Sequence, residues 1–219
     1  MLIKVCGMRH AGNIAQLSLL RPDYMGFIFF GKSPRYAGEM LKADVLAAIP
    51  ANIIKTGVFV NASLESVLET VSRFGLDAVQ LHGDESPEMC ARMKAQGVKV
   101  LKAFHPKSRD DFKASKAYEA VCDYFLFDTP SVAHGGSGRK FDWALLDDYT
   151  GSVPFFLSGG IDARDLDEIR ALSHPQLAGL DLNSRFEIVP ALKNIPALRY
   201  FLGAVKSKNE TNVFATTGR

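Results

Sequence analysis

Short apolar runs recur along this chain at intervals of roughly 20–30 residues, the length of one compact βα unit. They lie at Leu2–Cys6, Tyr24–Phe29, Ile53–Val60, Ala78–His82, Val98–Phe104, Tyr124–Phe127, Pro154–Leu157 and Leu177–Leu182. Rich in Val, Ile, Phe and Leu, they alternate poorly with polar residues, as strands covered on both faces do. The stretches between them are amphipathic. Ser63–Phe74 carries Leu64, Val67, Leu68 and Val71 at helical spacing behind an N-cap serine. Ser86-Pro87-Glu88 opens another helix with proline at its first position. Leu166–Leu172 and Leu192–Val205 read the same way.

Eight such units in about 205 residues predict an α/β fold of the (β/α)8 TIM-barrel type, a single domain over residues 1–206. An open doubly wound sheet would need fewer strands and a glycine fingerprint after the first. Neither G-x-G-x-x-G nor a Walker A motif occurs. Residues 207–219 are polar and aperiodic, and are expected to form a disordered tail.

Composition narrows the function classes. The chain has 219 residues, 47% hydrophobic and 23% charged, which suits one substantial soluble core. A net charge of +2 without a dense Lys/Arg stripe argues against a nucleic-acid surface and suits a small anionic ligand. No apolar stretch approaches a membrane span, and no signal-peptide pattern opens the chain. Cys6, Cys90 and Cys122 show neither CxxC nor metal spacing, so a reducing cytoplasm is expected.

In such barrels the chemistry lies at the C-terminal strand ends and the loops after them. Cys6 ends the first run and Asp128 the sixth, placing a thiol and a carboxyl at one barrel mouth. Cys6 is either a small core thiol or a base helped by Lys4 and Arg9. Asp128 is either a loop cap, paired with Arg139 or Lys140, or a partly desolvated general acid. Arg35, beside Lys32 and Tyr36, is a solvated charge or a bidentate clamp for a carboxylate. Ser158-Gly159-Gly160 and Asn183-Ser184-Arg185 follow strands seven and eight, where barrels often bind phosphate. His82, with Gln80, is a site residue or a polar member of a barrel layer. His134 before Gly135-Gly136-Ser137-Gly138 marks a lid or a plain linker. Cys90 and Cys122 read as structural.

Lys4-Val5-Cys6-Gly7-Met8, Gly26-Phe27-Ile28-Phe29, Lys32-Ser33-Pro34-Arg35-Tyr36, Gly57-Val58-Phe59-Val60-Asn61 and Val79-Gln80-Leu81-His82-Gly83 occur in order. Asp128, Gly135-Gly136-Ser137-Gly138, Phe141-Asp142-Trp143 and Leu157-Ser158-Gly159-Gly160 follow. Together, over Leu2 to Lys206, they resemble the phosphoribosylanthranilate isomerases of tryptophan biosynthesis. The resemblance implies a cofactor-free, metal-free Amadori rearrangement of N-(5-phosphoribosyl)anthranilate to 1-(2-carboxyphenylamino)-1-deoxyribulose 5-phosphate. It implies Cys6 as general base, Asp128 as general acid and Arg35 as the anthranilate-carboxylate ligand. His82, Gly159, Gly160, Asn183, Ser184 and Arg185 are then expected around the phosphorylated substrate. Its partner is that small molecule, neither nucleic acid nor membrane, and the oligomeric state stays open.

The chain departs from the family after strand eight. Arg185 stands where a glycine is usual, and Pro190-Ala191-Leu192-Lys193-Asn194 replaces the usual Pro-Gly-x-Lys-Asp. Another phosphosugar barrel isomerase, such as the histidine-pathway aminoaldose isomerase, would more commonly use two carboxylates. A binding-only barrel would have no need of both Cys6 and Asp128.

Overall fold

The computed structural model describes residues 1–128 and 143–214, with only the backbone described from residue 206 onward. His134, Gly135–Gly138, Arg139 and Lys140 lie outside these residues.

Eight parallel strands close into a barrel in sequence order. They are β1 (Leu2–Val5), β2 (Tyr24–Ile28), β3 (Ile54–Phe59), β4 (Ala78–Leu81), β5 (Lys99–Phe104), β6 (Tyr124–Phe127), β7 (Phe155–Leu157) and β8 (Leu177–Leu182). Each falls within its predicted run. Closure comes from β1 pairing with β8, Lys4 opposite Asp181 and Leu2 opposite Gly179.

Side chains alternate across a strand, and this parity places the site. The outward set, including Ile3, Val5, Phe27, Phe125 and Phe155, packs in the large core cluster beneath the helices. The inward set begins with an apolar plug of Tyr24, Ala78, Leu101, Ala103, Leu126 and Phe156. Toward the C-terminal strand ends the inward positions of β1, β4 and β8 are polar: Lys4 and Cys6, Gln80 and His82, Asp181 and Asn183. The apolar plug fills the interior, so the open volume lies toward the strand ends.

The crossovers carry α1 (Ala11–Ser18), α2 (Ala43–Ala47), α3 (Leu64–Phe74), α4 (Pro87–Lys94), α5 (Leu166–Ala171) and α6 (Ile195–Phe214). Ser63 caps α3 by accepting from the Ser66 N–H, and Gly75 ends that helix in the left-handed region. Ser86 caps α4 in the same way, with Pro87 in its first turn. The fifth crossover is a 3₁₀ segment, Arg109–Tyr118, and another spans Trp143–Asp148.

Two expectations are revised at the C-terminal end. The helix expected from Leu192 starts at Ile195, because Leu192–Lys193 forms strand β10 against β9 (Glu187–Val189). Asn13 on α1 holds β10 in place: its Oδ1 accepts from the Lys193 N–H at 2.8 Å, and its Nδ2 donates to the Lys193 carbonyl at 3.0 Å. The last helix also runs to Phe214, past the Lys206 limit expected for the barrel. Its terminal stretch contains neither Gly nor Pro, so nothing there stops a helix already nucleated by packing.

Candidate active site

A cavity opens at the strand ends and brings Cys6, Asp128, Arg35, His82 and Asn183 together. Ile28, Phe30, Val58 and Val60 give it one apolar wall. Gly159, Gly160, Ser184 and Arg185 are not among the described residues of its wall. Ser158 is, and the two glycines follow it with φ values of 92° and 72°. Ser184 and Arg185 belong to a 3₁₀ turn, Ser184–Phe186, directly after β8, with the Arg185 side chain exposed.

Cys6 is 3% exposed. Burial pushes its thiol pKa up, and the ammonium groups of Lys4 and Lys193 pull against that shift. Lys4, two positions earlier on the same inward face, is fully buried and donates to Asp181 Oδ2 at 2.9 Å. Burial disfavours its ammonium, but Asp181 and Cys6 outweigh that cost and raise its pKa. Asp181 Oδ1 has no hydrogen-bond partner among the described residues.

Two glycines make room around the thiol. A Cβ on Gly26 would lie 2.7 Å from Cys6 Sγ. Gly7 has φ 78°, and a Cβ there would meet Asn183 Oδ1 at 2.8 Å and Arg35 Cδ at 2.9 Å.

Arg35 is 8% exposed, so it is not a solvated charge. Nor is its fork free for a ligand: Nε and Nη2 engage the Glu187 carboxylate at 3.0 and 2.7 Å. The expected bidentate clamp is thus already closed on a protein carboxylate, leaving Nη1 outside that fork. Glu187 also accepts from Lys193 Nζ at 2.7 Å, and the same ammonium donates to Asn183 Oδ1 at 2.7 Å. Burial works against the Glu187 carboxylate, but Arg35 and Lys193 prevail and its pKa is lowered.

Asp128 follows β6, its N–H donating to the Phe104 carbonyl at 3.0 Å. Its Oδ2 lies 3.5 Å from His82 Nε2. The other ring nitrogen of His82 is 2.7 Å from Gln80 Nε2. Cys90 and Cys122 are buried and do not line this cavity.

Glu187 and Asp181 carry no motif that singles them out in the sequence, and Lys193 stood out only as the lysine of the Pro190–Asn194 stretch. The available signal was a charge inside an apolar run, as with Lys4 in Leu2–Cys6 and Asp181 in Leu177–Leu182. A buried charge requires a partner.

The fold and the cavity define a (β/α)8-barrel enzyme with its polar pocket at the strand ends. The family model for N-(5'-phosphoribosyl)anthranilate (PRA) isomerase matches residues 3–204. The N-(5'-phosphoribosyl)anthranilate isomerase of Parabacteroides distasonis is 45% identical, the match covering 92% of each chain. That of Phocaeicola vulgatus is 44% identical over 95% of this chain and 99% of its own. Among solved structures, the Thermotoga maritima phosphoribosyl anthranilate isomerase superposes with a TM-score of 0.81 at 29% identity, covering 94% of this chain and all of its own (100%). A further isomerase structure, in complex with reduced 1-(o-carboxyphenylamino)-1-deoxyribulose 5-phosphate, gives a TM-score of 0.77 at 27% identity, with coverage of 94% and 100%. The chain belongs to the PRA isomerase family and is an aldose–ketose isomerase. No helix among the described residues is long and apolar enough to cross a membrane.

Proposed function

We propose that Cys6 and Asp128 are the base and acid by which this chain rearranges N-(5'-phosphoribosyl)anthranilate to 1-(2-carboxyphenylamino)-1-deoxyribulose 5-phosphate, a step of tryptophan biosynthesis. The carrying observation is that both side chains face one cavity at the strand ends. Asp128 protonates the furanose oxygen, and the ring opens to an iminium. The positive nitrogen acidifies the neighbouring C2 proton, which Cys6 removes. The resulting enolamine tautomerises to the ketone. Each proton transfer by a positioned side chain contributes about 10²–10⁴-fold.

Arg35 supports the anthranilate carboxylate through the part of its guanidinium outside the Glu187 fork, while Ile28, Phe30, Val58 and Val60 offer the ring an apolar wall. His82 stands beside Asp128 on the substrate wall. Backbone N–H groups around Gly159-Gly160 and Asn183-Ser184-Arg185 receive the phosphate, the positive φ of both glycines letting the chain come close to an anion. A reducing, cytoplasmic setting suits a chain whose three cysteines are all unpaired and whose base is a thiol.

The test is decay of substrate fluorescence with wild type and Cys6→Ser. Turnover should nearly vanish in the variant, because a serine hydroxyl does not ionise near neutral pH. Retention of most of the wild-type kcat would remove Cys6 from the mechanism.

A further inference from the structure

At the edge of the cavity three donor side chains converge, an arrangement that the acid role of Asp128 alone does not require. His82, His105 and Asp128 follow β4, β5 and β6, three neighbouring strands. Each offers one ligand atom, and the three atoms lie within 4.8 Å of one another. The two imidazoles meet edge to face with centroids 5.1 Å apart. His82 Nε2 and Asp128 Oδ2 are 3.5 Å apart. Zinc–nitrogen bonds of about 2.0–2.1 Å set neighbouring ligand atoms of a tetrahedral site roughly 3.3–3.4 Å apart. That pair is therefore already at coordination spacing, and the ligand atom of the exposed His105 lies within 4.8 Å of both.

A second, independent feature lies behind His82. Metal-binding histidines hold the ring nitrogen opposite the metal as a donor to a carbonyl or carboxylate oxygen. Gln80 is 2% exposed and faces His82 Nδ1 through its amide nitrogen at 2.7 Å. Its amide oxygen accepts no hydrogen bond among the described residues. A half-turn of that amide presents the oxygen to Nδ1–H and frees the Nε2 lone pair toward the cavity, so the outer support for a metal-bound His82 is already in place. Two imidazoles and one carboxylate suit zinc-type ions better than magnesium or calcium, which favour all-oxygen sites. Three protein ligands leave the fourth position to water.

We propose that His82, His105 and Asp128 bind a divalent transition-metal ion of the zinc type, and that the bound ion shuts turnover down by holding the Asp128 carboxyl as a ligand. The second half rests on the acid role given to Asp128 above. A coordinated carboxylate has no proton to deliver to the furanose oxygen, so the ion is an inhibitor and not a cofactor.

Co²⁺ serves as the spectroscopic probe. Chelator-treated protein is titrated with Co²⁺ under visible absorption, beside His105→Asn and His82→Asn, with melting curves confirming that both variants fold. Loss of an outer-sphere partner alone weakens metal sites by about 10–100-fold, so each ligand substitution should weaken Co²⁺ binding at least tenfold. Wild-type turnover should fall in step with occupancy and return on addition of chelator. His105→Asn should turn over normally without metal and resist inhibition. No Co²⁺ binding, binding indifferent to both substitutions, or a strong near-ultraviolet thiolate band placing the ion on Cys6 would each overturn the site. Full occupancy with undiminished turnover would overturn the inhibition and the acid role of Asp128 together, while the spectrum kept the metal site.

Discussion

A side-chain carbon on Gly26 would stand 2.7 Å from the Cys6 sulfur and 3.1 Å from the Cys6 Cα. Real Cβ atoms do not approach so closely, so one side or the other must yield. The position of the thiol in the cavity therefore depends on a missing side chain on the neighbouring strand.

Gly26→Ala tests that dependence. The added methyl displaces the thiol, and for the base proposed here misplacement by about 1 Å can cost on the order of 10²-fold in rate. Overpacking should also lower stability by about 1–3 kcal/mol. Steady-state kinetics and a denaturant melt separate the two effects. Wild-type kcat in a folded Gly26→Ala protein would show that the thiol's placement is not critical.

The fold was more legible than the site, for a physical reason. Strands buried on both faces must be continuous apolar runs, so the eight barrel strands stand out locally. The β9–β10 hairpin did not, because Leu192-Lys193 is equally acceptable as a helix start. It becomes a strand through Asn13, 180 positions away. In the site, Cys6 and Asp128 were visible from their places at run ends. The charge network around the thiol was not. Lys4 finds Asp181 across 177 positions, and Arg35 finds Glu187 across 152. Sequence marks such residues as charges in need of partners but does not say which partner each meets.

The thiol's environment sets a pH dependence. Burial raises the Cys6 pKa, so the protonated thiol persists to higher pH than for a free cysteine, and the basic form appears only as pH rises. The ascending limb of kcat/KM should therefore continue above neutral pH. Lys193 opposes the rise, so Lys193→Met should move the limb to still higher pH, while Glu187 keeps Arg35 as its partner. A limb that stays put in Lys193→Met would remove that ammonium from the electrostatics of the thiol.

Ala191 adopts φ 68°, in the left-handed region that favours glycine. An L side chain there costs about 1–2 kcal/mol, partly offset by the roughly 0.5–1 kcal/mol that glycine loses in chain entropy. The conformation is held because the Ala191 N–H donates to Glu187 Oε1 at 3.0 Å. Ala191→Gly should thus stabilise the protein by up to about 1 kcal/mol, a rise in Tm of about 2–4 °C for a chain of this size. A lower melting temperature would mean that packing of the buried Ala191 methyl outweighs its strain.

Asp128→Asn separates proton delivery from architecture. The amide keeps the shape of the carboxyl, and the main-chain bond from residue 128 to the Phe104 carbonyl does not involve the side chain. Binding groups elsewhere in the cavity, Arg35 among them, are untouched. With Asp128 as the proposed acid, what disappears is the proton for the furanose oxygen, and general acid–base contributions of about 10²–10⁴-fold set the scale. Because ring opening starts the sequence, the loss should appear in kcat with KM little changed. A reduced product analogue, which needs no proton, should bind nearly as well as to wild type. If kcat, analogue affinity and melting temperature fell together, Asp128 would instead be a structural cap. The general acid would then have to be sought in another group lining the cavity.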